Sequence, residues 1–392
     1  MRILIASGFF ESELPSYREY SYSSELAALG HTVTLMCGDQ SQTWRFSRGA
    51  TTPSNPSLGD NEFRAATGVT LLRRKVFFRV SDLVLYLPVI SAIRSADVVH
   101  VIEFRQGVTV LIALLARLFG KPVVYDHEQR GDRTARWYSR VDSLLRRALI
   151  FTGSWCVDCV RHTVLANRDH FLSCTPRQVP TMFAPLGTDP RRFHFSADER
   201  DATRKTLGIA PDSRVAVMSG KLHVMKRVTD VVKACRAAGV RLILIGTIAP
   251  EVQAAIDELG PGDEIILPPA SSAGLRAVYC AADLAIFTTF TLSYWEAYAT
   301  GIQLVVPGTA FGKMVFAGDA NVALFGSDDM FRVADEEYLK GVDITQMLAT
   351  AIPTLPMQVR SSRSRYTAET QVQQLAKLYA RVTTPGESVH AA

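Results

Sequence analysis

Met1-Arg2-Ile3-Leu4-Ile5-Ala6-Ser7-Gly8 opens the chain, and one helix-length interval later comes Leu29-Gly30-His31-Thr32-Val33-Thr34-Leu35-Met36-Cys37. Arg2 to Ala6 is a short apolar run and Thr32 to Cys37 a second, β-branched one, which is strand patterning. Between them, Tyr17 to Leu29 carries apolar residues at helical spacing, and Gly30 is placed as a C-cap. Strand, helix and strand in such quick succession predict a right-handed βαβ unit and so a parallel sheet. The theme repeats with a strand at Val98 to Ile102, a helix at Gly107 to Phe119 closed by Gly120, and a strand at Val123 to Tyr125.

A boundary falls near Pro185 to Pro190, and the alternation then restarts. Strands are expected at Arg214 to Ser219, Arg241 to Ile245, Glu264 to Leu267, Leu284 to Phe287 and Gln303 to Val306. Helices are expected at Val228 to Ala238, Glu251 to Leu259, Ala273 to Cys280 and Tyr294 to Thr300. The pattern therefore predicts α/β architecture with two doubly wound, Rossmann-like domains, 1–187 and 188–362. A terminal segment, 363–392, would carry the amphipathic helix Ala368 to Arg381 back to the first domain and end in a disordered tail. Two such sheets in tandem suit a two-substrate enzyme with a cleft between the strand ends.

Length agrees: 392 residues at roughly 150 per domain make two to three domains. Hydrophobic residues at 47% and charged residues at 21% exclude a disordered, collagen-like or disulfide-scaffold chain. The net charge, 43 − 38 = +5, permits an anionic partner without requiring one. No helix-turn-helix, zinc finger or aromatic-basic ribbon is present, so no nucleic-acid partner is expected. Arginines supply 34 of the 43 basic residues. Arginine suits phosphate recognition, but a GC-rich genome yields the same excess, and that is the preferred reading.

The N-terminus lacks the long apolar core of a signal peptide, and no apolar stretch reaches the ~18 to 20 residues that span a bilayer. A cytoplasmic chain with six reduced thiols is expected. Cys156 and Cys159, with His162 beyond them, have metal-ligand spacing. Their apolar surroundings read instead as buried thiols, and no metal is expected. Leu71-Leu72-Arg73-Arg74-Lys75-Val76-Phe77-Phe78-Arg79 mixes basic and bulky apolar residues. It fits an anionic membrane surface, which would place the protein peripherally on the inner face of the plasma membrane. A strand edge followed by the start of an amphipathic helix packed on its own domain is the preferred reading.

Two constellations carry chemistry. Ser219-Gly220-Lys221-Leu222-His223-Val224-Met225-Lys226 follows a strand and precedes a helix. Two ammonium groups on a glycine-containing loop at a strand's carboxyl end suit a diphosphate; two solvated lysines are the plain alternative. Thr288 to Gly301, Thr288-Thr289-Phe290-Thr291-Leu292-Ser293-Tyr294-Trp295-Glu296-Ala297-Tyr298-Ala299-Thr300-Gly301, lies between two strands. Ser293 is placed as an N-cap with Glu296 completing a capping box. The same helix start can hold a phosphate, and a carboxylate one turn in can accept both hydroxyls of a ribose.

On these residues the chain resembles the family-4 retaining glycosyltransferases, which have the two-domain GT-B architecture. Gly220-Lys221-Leu222 with Lys226 is similar to that family's Gly-Arg-Leu…Lys, with Lys221 for the usual Arg. Thr288 to Glu296 resembles its Glu-x7-Glu motif, with Thr288 where the first Glu is expected. Leu29 to Val33, Asp97 to His100, Lys121 to Glu128 and Pro185 to Asp189 resemble further family segments in the same order.

The resemblance implies a nucleotide-diphosphate sugar, UDP- or GDP-linked, held in the second domain. Lys221 and Lys226 would neutralise the donor diphosphate, Glu296 would hold the ribose, and Ser293 with neighbouring N–H groups would meet phosphate. His127 would reach the transferred sugar, with Lys226 and Glu296 as the other catalytic residues. Gly8, His100, Glu103 and Glu128 would line the acceptor side. The fold implies no metal and no cofactor beyond the co-substrate.

Thr288 carries no charge, which leaves three readings: an unusual donor, a carboxylate supplied by Asp126, Glu128 or Glu103, or binding without transfer. The expected activity is transfer of a sugar, with retention, to a glycan, a lipid-linked sugar or a small molecule. A catalytically impaired nucleotide-binding module and a sugar-nucleotide 2-epimerase are the alternatives.

Overall fold

The computed structural model describes residues 1–12, 18–40, 57–128, 137–185, 187–289, 291–326, 344–352, 360–363 and 365–384. The side chains of 137–140 and 292 also fall outside the description. The polar Pro/Ser/Gly-containing stretch Ala50 to Asn61 reads in the sequence as a loop; part of it, Phe290 of the second motif and the tail from 385 lie outside the described residues.

The chain divides into two units, residues 1–186 together with 368–392, and residues 187–367. In the first unit, β1 (Arg2–Ala6), α1 (Arg18–Ala28) and β2 (Thr32–Gly38) form the opening βαβ. Then come α2 (Asp60–Thr67), β3 (Thr70–Arg74), β4 (Val76–Val80), β5 (Leu83–Tyr86), α3 (Ile90–Ser95), β6 (Val98–Ile102) and α4 (Val108–Leu118). β7 (Val123–His127), α5 (Trp137–Ser154), β8 (Cys159–His162), α6 (Leu165–Ser173) and β9 (Thr181–Phe183) complete the series. Seven strands form one parallel sheet in the order β3-β2-β1-β6-β7-β8-β9, and β4-β5 is a separate antiparallel hairpin.

β6 and β7 are buried along their whole length, because a parallel sheet is covered on both faces. Leu4 and Ala6 pack into one core, Ile3 and Ile5 into the other. The second of these cores also contains Val372, Leu375, Leu378 and Tyr379 from the terminal helix Ala368–Thr383.

The second unit runs α7 (Ala197–Thr206), β10 (Val215–Leu222), α8 (Val228–Ala237), β11 (Arg241–Ile248), α9 (Pro250–Asp257), β12 (Ile265–Leu267) and α10 (Ser272–Ala281). It continues with β13 (Leu284–Ile286), α11 (Leu292–Ala299), β14 (Gln303–Pro307), α12 (Ala310–Phe316), β15 (Val322–Phe325) and a helix at Thr345–Ala351. Its six strands are parallel in the order β12-β11-β10-β13-β14-β15.

Three local expectations are corrected. β10 does not stop at Ser219 but runs through Gly220 and Lys221 to Leu222, because β11 continues alongside it to Ile248. α11 starts at Leu292 with Thr291 as N-cap, so Ser293 sits in the first turn and forms no capping box with Glu296. Leu71 to Arg79 is two strands with no helix start. Arg73 turns inward, donating to both carboxylate oxygens of Asp60 at 2.7 Å and to the Phe10 and Gly38 carbonyls. It is thereby taken out of the membrane-facing reading.

Candidate active site

The strand order reverses between β1 and β6 in the first unit and between β10 and β13 in the second. Ligands of doubly wound sheets bind beyond the strand carboxyl ends at such switch points. In the second unit the crevice is opened by unequal pairing. β10 matches β13 only at Ala216 and Val217, but follows β11 through Leu222.

Gly220 sits at this opening with φ +99. A Cβ there would lie 3.2 Å from Lys226 Nζ and 3.8 Å from Ser293 Oγ. The bare backbone at Gly220 therefore lets an ammonium and a hydroxyl from separate segments meet above it. Gly246 on the adjacent strand is equally constrained, since a Cβ there would lie 2.0 Å from the Gly220 carbonyl oxygen.

Lys226 ends a short 3-10 turn, Val224–Lys226, and Arg227 follows in the left-handed region at φ 52. This reversal folds Lys226 back so that its Nζ donates to the Ser219 carbonyl at 3.1 Å. The side chain is buried, and burial first, then the charge of Lys221, lowers its pKa to about 8. Burial lowers the Lys221 pKa as well. Two cations partly removed from water beside each other constitute a site short of negative charge.

Tyr279 on α10 braces the opposite wall. Its hydroxyl lies 2.7 Å from Ser219 Oγ and donates to the Ser293 carbonyl at 3.2 Å. Burial, and then the charge of Glu296, push this phenol above its ordinary range. Glu296, one turn into α11, is buried, and desolvation raises its carboxyl to about 7. Among the described residues no donor or cation pairs with that carboxylate. Thr291 Oγ1, at the N-cap of α11, is a buried hydroxyl without a hydrogen-bond partner among the described residues. From the sequence, neither Tyr279 nor Thr291 is assigned a role in the site, although Tyr279 to Asp283 resembles a family segment and Thr291 stands where the family has a glycine.

Thr288 is buried, and its hydroxyl donates to the Lys226 carbonyl at 2.7 Å. It ties the turn carrying Lys226 to the end of β13 instead of presenting its oxygen outward. Gly220, Lys226, Ser293 and Thr288 are thus brought together, with Lys221 and Glu296 electrostatically joined to the group.

In the first unit, Gly8 lies just beyond β1, and its N–H donates to Gln106 Oε1 at 2.5 Å. Glu103, beyond β6, is buried at φ +59, accepts from the Glu128 N–H, and hydrogen-bonds Thr109 through its carbonyl. Glu128 is ion-paired to Arg18, a residue the sequence did not single out.

Three expectations on this side are corrected. His127 is fully buried, with Nδ1 2.7 Å from Tyr125 Oη and Nε2 3.0 Å from His170 Nδ1. Burial, and then His170, push its pKa far down. Both ring nitrogens are committed internally, so the ring offers none to a sugar. His100 is likewise internal, between Asp126 Oδ1 at 3.0 Å and Tyr379 Oη at 2.5 Å. Asp126 holds buried Arg161 at 2.8 Å and so is not a stand-in carboxylate. Cys156 and Cys159 are buried thiols, and no cluster of metal-ligating side chains occurs among the described residues.

No family model matches the chain. It is 28% identical over 154 residues to the D-inositol 3-phosphate glycosyltransferase of Mycolicibacterium smegmatis, covering 36% of each chain. It is 30% identical over 124 residues to the protein of that name from Mycobacterium ulcerans, covering 28% of this chain and 27% of that one. The chain matches about a third of the length of these curated relatives.

Among solved structures, HepE of Anabaena in complex with UDP superposes with a TM-score of 0.61 at 16% identity, covering 97% of this chain and all of that one. Sucrose-phosphate synthase from Thermosynechococcus elongatus gives 0.58 at 15% identity, covering 97% and 99%. The two-unit α/β fold is the GT-B fold of these glycosyltransferases, as the resemblance in the sequence implied.

Proposed function

We propose that this chain is a glycosyltransferase that takes a sugar from a nucleotide-diphosphate donor, a UDP-sugar in the first instance, and passes it to an acceptor with retention. The observation that carries the reading is the meeting of Lys226 Nζ and Ser293 Oγ over the bare backbone of Gly220. The diphosphate lies between Lys226, Lys221 and the N–H groups opening α11. Ser293 Oγ and the unused Thr291 hydroxyl donate to its oxygens. The Glu296 carboxylate accepts from the ribose hydroxyls.

As the glycosidic bond breaks, negative charge grows on the leaving diphosphate. Cations already desolvated and in place stabilise that charge more than they stabilise the ground state. The names of the curated relatives support glycosyl transfer, and the complex of HepE with UDP supports a UDP-linked donor. The acceptor class, whether glycan, lipid-linked sugar or small molecule, is set by the loops beyond β1, β6 and β7. A cytoplasmic setting fits a nucleotide-sugar donor.

Calorimetry with UDP and GDP, followed by nucleotide-diphosphate release from a donor panel, tests the reading. Binding of one nucleotide and its release from a matching sugar donor are expected. Absence of both binding and release with every donor overturns it. A second reading, nucleotide binding without transfer, is favoured by Thr288, whose hydroxyl is spent on the Lys226 carbonyl. It predicts tight UDP binding with no release in the presence of any acceptor.

A further inference from the structure

One face of the first unit is apolar in a way that its core does not explain. α4 and α5 are both crossovers between neighbouring parallel strands, and they pack side by side on the same side of the sheet. α4 buries one stripe in the core, as a globular helix does, and α5 buries Ile150 there with Leu149 packed against it. The outer stripe should then be polar. On α4 it is Leu111, Leu114 and Leu118, the last 76% exposed. On α5 it is Val141, Leu144, Leu145 and Phe151, with Leu144 70% exposed. Trp155 extends the α5 stripe at 55% exposure, its ring edge-on to Phe151. An apolar area spread over two adjacent helices exceeds what scattered surface leucines supply.

The polar residues around this face are mostly basic. Arg117, Lys121, Arg146 and Arg147 stand on or beside the two helices, and Arg94 lies over the Phe119 ring at 4.6 Å. Among the described residues, two carboxylates stand against these five cations, Asp142 and Asp158, paired with Arg146 and Arg117. Leucine and phenylalanine in the middle, tryptophan at one end and arginines at the rim match an interface of hydrocarbon below and anionic headgroups beside. A partner protein would need a complementary acidic rim, whereas an anionic bilayer supplies that charge at every approach angle.

We propose that the α4–α5 face docks this protein on an anionic lipid surface, with Leu118, Leu144 and Phe151 entering the acyl boundary and the arginines meeting phosphate headgroups. The assignment is independent of the nucleotide site, which lies wholly in the other unit. Docking on a membrane would confine any reaction of the protein to acceptors in or near that membrane.

The test is co-sedimentation of the full chain with phosphatidylcholine vesicles, with and without about 30% phosphatidylglycerol. At least tenfold stronger partitioning onto the anionic vesicles is expected, weakening several-fold as salt rises from about 0.1 to 0.5 M. Leu144→Glu with Phe151→Glu removes the partitioning and leaves UDP binding and thermal unfolding as in the parent. Trp155 fluorescence, isolated by comparison with Trp155→Phe, is quenched by brominated lipid. That measurement needs no variant of altered charge and holds even where the double variant fails to fold. Equal pelleting of parent and a folded variant overturns the proposal, as does no pelleting with either vesicle. A concentration-dependent dimer that the same substitutions abolish, without vesicle binding, assigns the face to a second copy of the chain instead.

Discussion

The ammonium of Lys226 and the carboxyl of Glu296 are each displaced toward neutrality by burial, the first down to about 8 and the second up to about 7. Donor binding needs Lys226 protonated and Glu296 ionised, so affinity for UDP peaks between about pH 7 and 8. It falls on both sides, as isothermal titration across pH 5.5 to 9.5 would show (roughly the span of the two displaced groups). The acid limb disappears in Glu296→Gln.

The same displacement affects stability with a definite sign. A carboxyl raised in the folded state binds more protons than it does unfolded, so stability falls as pH rises from the ordinary carboxylate range to about 7. Glu296→Gln should therefore melt above the parent at pH 8 while binding UDP more weakly, which thermal scans with and without nucleotide separate. Lys226→Ala should lower turnover by about 10²–10³-fold, in the range of a lost charge-stabilising donor, with circular dichroism unchanged. Gly220→Ala strains a backbone at φ +99 and crowds Lys226, so a loss of about 1–2 kcal/mol in denaturant titrations is expected along with weaker UDP binding.

Lys221, Lys226 and Glu296 could be singled out in the sequence because each is a charged residue in a segment that reads as following a strand. The commitments of His127 and His100 were not, because His170 and Tyr379 reach them from other elements, while Tyr125 meets His127 from two residues back on the same strand. Nor did the sequence show how the arginine excess is used. Arg204 bonds Ala210, Pro211, Ser213 and Ala281 carbonyls, and Arg161 bonds those of Ala184 and Pro185. Arginine serves here as a clamp on loop carbonyls, a role that leaves no periodic trace.

Element boundaries show the same division between local and non-local causes. α1, α4 and α8 end where their glycines predict, since the left-handed C-cap at Gly30, Gly120 and Gly239 is a local property. β10 and β7 outrun their expected ends because neighbouring strands extend them. α11 begins one residue before Ser293, and Thr288, just ahead of it, is held to the Lys226 carbonyl. A single carboxylate joins several elements of the second unit. Asp283 Oδ1 accepts from Arg200 at 2.6 Å, while Oδ2 accepts from Arg204 and from the Val215 N–H. Asp283→Ala would leave buried Arg204 without its counter-charge, and a loss of about 3–5 kcal/mol is expected by urea unfolding.

At the scale of the molecule, two units with separate cores should respond separately. UDP at about a hundred times its dissociation constant adds about 2.7 kcal/mol to the unit that binds it. Calorimetric scans should show one transition moving upward and the other staying in place, whereas a single transition shifting whole would show the units unfolding as one. The parallel topology was readable from the recurring strand–helix–strand pattern. The exposed stripe of α5 was not, because an apolar helix face looks the same in sequence whether it meets a sheet or nothing.

The terminal helix Ala368–Thr383 has one more effect, on the order of events during synthesis. The second unit is continuous in sequence and can fold once residue 367 has cleared the ribosome. The first has Val372, Leu375 and Tyr379 in its core and lacks them until the helix emerges. The unit translated first is therefore the unit finished last. Its sheet has all seven strands by then but must wait with the surface around Tyr22 and Leu26 uncovered, an interval in which a chaperone has something to hold.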